Sequence, residues 1–109
     1  ADLDKMYTAN NPAVDLLHRI QPCYQAFHDQ IYGLNGAFHL HDPSVTAFLI
    51  SPDLFTYIEA PIYVETSGLC AGKTIADVHW QWGDRKPVKI VVDADAKAVI
   101  NLLIQRLSQ

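Results

Sequence analysis

His41 and Asp42 stand side by side, ahead of the apolar run Val45-Thr46-Ala47-Phe48-Leu49-Ile50. Histidine titrates near neutral pH and can give up a proton there. The segment that delivers the pair reads as a strand or loop end, and the run after it predicts a short helix over residues 43–50. Asp42 is predicted to be its N-cap, with the carboxylate accepting first-turn amide hydrogens. Pro43 suits the first helical position, where no amide donor is needed. An imidazole and a carboxylate then meet at a positive helix end, where an α/β protein tends to place its chemistry. A plainer reading uses the same residues: Asp42 only caps the helix, and His41 is a hydrogen-bonded histidine on a structural turn.

Such a pair needs elements to hold it. Asn10-Asn11-Pro12 is a helix start. Ala13, Leu16, Leu17, Ile20, Tyr24, Phe27 and Ile31 recur at three- and four-residue steps, one stripe of a long amphipathic helix. Pro22 interrupts it and predicts a kink or break, because proline cannot bond to the carbonyl of His18. Tyr32-Gly33-Leu34-Asn35-Gly36 ends the pattern in a mobile loop, placed either as a gate beside His41 or as a plain connector. Residues 2–8 suggest a short helix.

Beyond the His41 helix, Ser51-Pro52-Asp53 is a stop, and residues 54–56 restart an apolar contact. Residues 62–66, 73–78 and 88–92 read as strands. Trp80-Gln81-Trp82 alternates like a strand or an exposed loop, and residues 83–87 form a turn. Asp93 or Asp95 caps a final helix with Ala96, Val99, Ile100, Leu103, Ile104 and Leu107 on its apolar side. The expectation is an α/β fold, a small sheet with flanking helices. A sheet this small leaves apolar surface uncovered, which predicts either self-association or a chain cut from a larger domain.

His41-Asp42-Pro43 with the run to Leu54-Phe55 resembles the nucleoside hydrolases, the calcium-dependent N-ribohydrolases of inosine and uridine. Val64-Glu65-Thr66 with Gly68, Gly72-Lys73-Thr74 and Asp77 is similar to the next family segment, and Val91-Val92-Asp93 with its helix to the last. Asn11-Pro12-Ala13 also fits. The resemblance covers nearly all of the chain and implies a single partial nucleoside-hydrolase domain over residues 1–109, the C-terminal part of that fold. The family's N-terminal aspartate cluster, Asp-x-Asp-x-Gly-x-Asp-Asp, is not among these residues.

The implied reaction is hydrolysis of the N-glycosidic bond of a ribonucleoside to base and ribose. It passes through an oxocarbenium-like transition state, with water activated on one face and the leaving base neutralised on the other. The resemblance assigns His41 as the acid for the leaving base and Asp42 as a calcium ligand. It implies more loosely that His28 and Tyr32, ahead of the motif, touch the nucleobase; otherwise Tyr32 packs and His28 faces solvent. The Trp80 and Trp82 pair is read as able to stack a base, or as packing on a half-buried strand or interface. Calcium takes about six to eight oxygen ligands, and Asp42 stands alone. The chain by itself is therefore expected to be inactive.

Composition narrows the alternatives. Half of the 109 residues are hydrophobic and 18% are charged, an ordinary globular balance. The net charge of −4 and the lack of any basic run exclude sequence-independent nucleic-acid binding. No apolar stretch is long enough to span a bilayer. The residues Ala1-Asp2-Leu3-Asp4-Lys5 do not read as a signal peptide. Cys23 and Cys70 match no metal or redox spacing and are expected to be reduced, packed thiols of a cytoplasmic protein.

Two rival functions follow from the same residues. His39-x-His41 on an extended segment, with Asp42, suits a zinc or other transition-metal hydrolase, with His79 or His28 as a third ligand. A non-catalytic module is the other: a short relative whose uncovered apolar face makes a homo-oligomer.

Overall fold

The computed structural model describes residues 6, 7 and 9–109. The short helix predicted for residues 2–8 lies outside the described residues, apart from Met6 and Tyr7, which take a 3-10 conformation. The chain divides into two compact units. One holds the residues up to Leu54 together with Asp95–Gln109, and the other holds Phe55–Ala94.

The first unit is helical. Helix α1 spans Pro12–Tyr32. Its N-cap is Asn11, whose Oδ1 accepts from the Ala13 amide at 2.9 Å, and Pro12 follows it into the first turn. The Asn11 amide nitrogen also donates to the carbonyls of Leu107 and Gln109, at 3.3 Å each, tying the start of α1 to the chain's last residues. The break expected at Pro22 does not occur. Proline removes one ladder bond, to the His18 carbonyl, and unbroken helix on both sides carries the chain across. The helix ends at Gly33, left-handed at φ 65°, whose amide donates to the Asp29 carbonyl at 3.0 Å. A Cβ at this φ is strained, so glycine is the natural cap.

Residues 33–40 are tied back to α1. The Gly36 amide donates to Asp29 Oδ1 at 2.8 Å, and the Tyr24 hydroxyl donates to the His39 carbonyl at 3.4 Å. Helix α2 spans His41–Ile50, so it starts two residues before the predicted Pro43. Leu40 is the N-cap, and its carbonyl accepts from the Ser44 amide at 3.2 Å and from the Ser44 hydroxyl. The predicted capping role of Asp42 is therefore corrected: it sits inside the first turn and makes no capping bond. Pro43 tolerates this register because first-turn amides have no helical partner to lose.

A 3-10 turn at Pro52–Leu54 closes α2, and α3 spans Ala96–Leu107. Of the two aspartates that could cap α3, Asp95 does so, its Oδ1 accepting from the Ala98 amide at 3.0 Å. Asp93 Oδ1 bonds to the Ala94 amide instead. The buried apolar side chains of this unit are Met6, Val14, Ala47 and Val99. The α1 stripe is largely uncovered: Leu16, Ile20, Phe27 and Ile31 are each about half exposed.

The second unit contains four strands: β1 (Phe55–Ala60), β2 (Ile62–Val64), β3 (Thr74–Ala76) and β4 (Val88–Ala94). The α/β class stands, and the small sheet takes the form of two antiparallel ladders, β1 with β4 and β2 with β3. Phe55 pairs with Ala94 and Ala60 with Val88, with a bulge between Thr56 and Tyr57. Ile62 pairs with Ala76 and Val64 with Thr74. Buried Pro61 separates β1 from β2, because proline has no amide to offer a ladder. Strand β1 was not predicted; its partner lies about thirty residues away in sequence, so local pattern cannot reveal it. Asp77 is buried in this unit and accepts from the Trp82 amide at 2.6 Å, while its own amide donates to the Pro61 carbonyl at 2.9 Å.

Cys23 and Cys70 are free as expected, but both are exposed, which corrects their reading as packed thiols. Each lies where few neighbours cover it, Cys23 on an open helix face and Cys70 in a turn. Among the described residues no helix is long and apolar enough to cross a membrane.

Candidate active site

The site forms where α1, the loop after it and the head of α2 meet within the helical unit. Helical spacing puts Tyr24, Phe27, His28 and Tyr32 on one side of α1. His28 is 2% exposed, so the reading that it faces solvent is overturned. Aromatic rings surround it: Tyr24 at 4.3 Å between centroids, Tyr32 at 5.4 Å, Phe27 at 5.6 Å and Phe38 at 6.5 Å.

Two more imidazoles complete the cluster. His39 and His41 stack at 5.2 Å with 18° between their planes. His28 lies edge-on to both, at 5.4 Å from His39 and 6.2 Å from His41. Tyr32 lies edge-on to His39 at 5.3 Å. The structure therefore brings three of the residues singled out by sequence, His41, His28 and Tyr32, into one group. It adds Tyr24 and Phe38, which sequence reasoning did not assign to the site. The signal for Tyr24 was present in its four-residue spacing from His28.

His28 Nδ1 is buried and has no hydrogen-bond partner. An unpaired buried polar atom costs about 1–3 kcal/mol. It is kept for a reason other than stability, or it meets a partner that arrives from outside.

Asp42 follows His41 in the first turn of α2 and is exposed. It lies on the rim of an open groove of about 810 Å³, whose walls include Ile20, Tyr24, Phe27, Phe38, Ile100 and Leu103. The groove is mainly apolar, with Arg19, Gln21, His39 and Asp42 as its charged or polar lining. A mainly apolar cleft with a few convergent polar groups suits a small organic ligand.

The same residues do not by themselves form a metal site. Among the described residues no three His, Cys, Asp or Glu side chains are grouped so as to hold an ion. His39 and His41 stack face to face, and no third ligand joins them among the described residues, so the transition-metal reading has no support there. Calcium needs about six to eight oxygens, and the described residues do not by themselves fit it. Trp80 and Trp82 belong to the strand unit. They lie in the loop before β4 and are 54% and 40% exposed, not on a strand.

Comparison with known proteins gives a consistent picture. The family model for inosine-uridine preferring nucleoside hydrolase matches residues 1–101. A pyrimidine-specific ribonucleoside hydrolase, RihA, of Klebsiella pneumoniae is 34% identical over 110 residues, which cover 99% of this chain and 35% of the relative. Probable uridine nucleosidase 2 of Arabidopsis thaliana is 32% identical over 115 residues, again covering 99% of this chain and 35% of the relative. The chain thus spans about a third of the length of these curated relatives. Among solved structures, a plant nucleoside hydrolase superposes with a TM-score of 0.85 at 28% identity, over 98% of this chain and 36% of that one. A purine-preferring ribonucleoside hydrolase from Gardnerella vaginalis shares the fold with a TM-score of 0.78 at 24% identity, over 98% of this chain and 34% of its own.

Proposed function

Because this chain belongs to the inosine-uridine preferring nucleoside hydrolase family, we propose that its residues form the leaving-base side of a site that hydrolyses the N-glycosidic bond of ribonucleosides. His41 gives a proton to the departing base. His28 and Tyr32 form part of the wall against which the base lies. The observation that carries this reading is the grouping of the three histidines with Tyr32, through His39, beside the groove that His39 lines. A planar, partly apolar base fits a wall of rings, and its ring nitrogens need a proton donor within hydrogen-bond reach.

Asp42 is the calcium ligand of this side, and it is open to that role because its carboxylate makes no capping bond. One carboxylate does not hold calcium, so the remaining ligands come from outside the described residues. The chain alone is expected to release no ribose from uridine or inosine in millimolar calcium. A calcium titration by calorimetry is expected to give no site tighter than about millimolar, the weak end of protein calcium sites.

The direct test is a chimera in which these residues replace the matching third of the Klebsiella pneumoniae enzyme. It is expected to release ribose from uridine. The His41→Ala version is expected to lose about 10²–10⁴-fold in kcat, the usual contribution of a general acid. A chimera that folds but turns over equally well with alanine at this position would remove His41 from the mechanism.

A second reading rests on a separate observation. The half-exposed stripe of α1, with exposed Leu49 and Ile50 of α2, is apolar surface of the kind that marks an association face. On this reading the protein is soluble and self-associates into a homo-oligomer without catalysing anything. Sedimentation that gives a monomer at all concentrations tested would rule it out.

A further inference from the structure

The stack of His39 on His41 is more than a neighbourly contact, because His41 has little else to hold it. His41 is the first residue of α2 and is exposed. Among the described residues the aromatic rings it meets are those of His28 and His39, and it makes no hydrogen bond. An exposed side chain without such contacts changes rotamer in picoseconds to nanoseconds. A proton donor must instead face its acceptor, and a misplacement of about 1 Å can cost on the order of 10²-fold in rate.

His39 has the anchors that His41 lacks. Its carbonyl accepts from the Tyr24 hydroxyl of α1. Its ring is met edge-on by Tyr32 at 85° and by buried His28 at 70°. Edge-to-face contacts of this kind fix a ring's plane, and the offset-parallel contact to His41 passes that orientation on. The His28 contact to His41 is longer and edge-on, so it limits position more than tilt.

We propose that His39 is a positioning residue: its ring, locked against α1, stacks on His41 and holds that imidazole in the one orientation from which it serves the leaving base. The inference rests on the assignment of His41 as the acid, made above. What it requires of residue 39 is a flat ring, not a titrating group.

The test is aromatic proton–carbon NMR on the chain itself, free of substrate and metal, above the ordinary imidazole titration range. In the wild type, His41 ring protons are expected to lie upfield through the His39 ring current, with cross-relaxation between the two rings. In His39→Ala and in His39→Gln, which keeps bulk but has no ring, both signatures are expected to vanish while amide signals of α1 and α3 stay in place. His39→Phe, which stacks without titrating, is expected to restore the upfield shift. Should alanine unfold the loop, the glutamine and phenylalanine variants decide the matter between them. His41 signals unchanged in His39→Gln, or not restored in His39→Phe, would overturn the proposal. The readout needs no turnover, so it can fail while His41 remains the acid in the chimera, and the reverse.

Discussion

Two buried polar side chains, one in each unit, have opposite fates. In the strand unit Asp77 is 5% exposed and accepts a 2.6 Å bond from the Trp82 amide. In the helical unit His28 is 2% exposed, and its Nδ1 has no partner. A satisfied buried group stabilises the fold around it. An unsatisfied one costs stability, and beside a groove it is the stronger sign of a ligand. Two acids at helix starts make the same contrast on the surface. Asp95 is committed to its helix by a bond to the Ala98 amide, whereas Asp42 makes no such bond. The groups that sequence resemblance ties to function are the ones the fold leaves unpaired.

The largest effect expected from this contrast is on Asp77. Asp77→Ala leaves the Trp82 amide without its charged acceptor, a loss of about 1.5–3 kcal/mol. A thermal melt followed by tryptophan fluorescence measures it. A midpoint equal to wild type would mean that the burial of Asp77 contributes nothing. Next comes Asp95→Ala, which removes the cap of α3 and is expected to cost about 1 kcal/mol in urea unfolding. Asp42→Ala belongs beside it and is expected to cost less than about 0.5 kcal/mol, since only a surface interaction with the helix end is lost. Equal costs for these two aspartates would erase the distinction drawn between them.

The last substitution, for which no net loss is expected, is the most telling. His28→Phe keeps a ring of similar shape among Tyr24, Tyr32 and Phe38 and removes the unpaired nitrogen. Replacing an unsatisfied polar group by an apolar one of the same shape is nearly neutral or stabilising. Urea unfolding is expected to place this variant within about 1 kcal/mol of wild type. In the chimera the same substitution is expected to reduce turnover. A variant destabilised well beyond that range would mean that His28 is structural, like Asp77.

The comparison bears on what was legible in advance. Helix starts were: Asn11 and Asp95 cap the helices that their positions predicted. Local hydrogen-bond chemistry decides such termini, and it is written in a few adjacent residues. Asp42 deceived the same rule. It has a capping side chain before a proline, yet Leu40 starts the helix. The first turn needs no amide partner, so the start can shift by two residues without losing a bond. Of the kink or break expected at Pro22, the break does not occur, because a long helix tolerates one missing bond. Strands were harder. The β3 and β4 segments have the composition of strands, but β1 is defined by pairing with β4, far along the chain.

The residues alone determined the family, the pairing of His41 with Asp42, the amphipathic α1 and the small α/β class, because these depend on residue identity and short-range spacing. They also bounded the chemistry: one carboxylate in this motif cannot hold calcium. Tertiary structure alone decided that His28 is buried, that His39 stacks on His41 instead of joining it around a metal, and that Asp42 is left uncapped. Those outcomes depend on how a helix, a loop and a second helix converge. The ring contacts that set them join residues up to thirteen positions apart, in elements whose meeting no local pattern records.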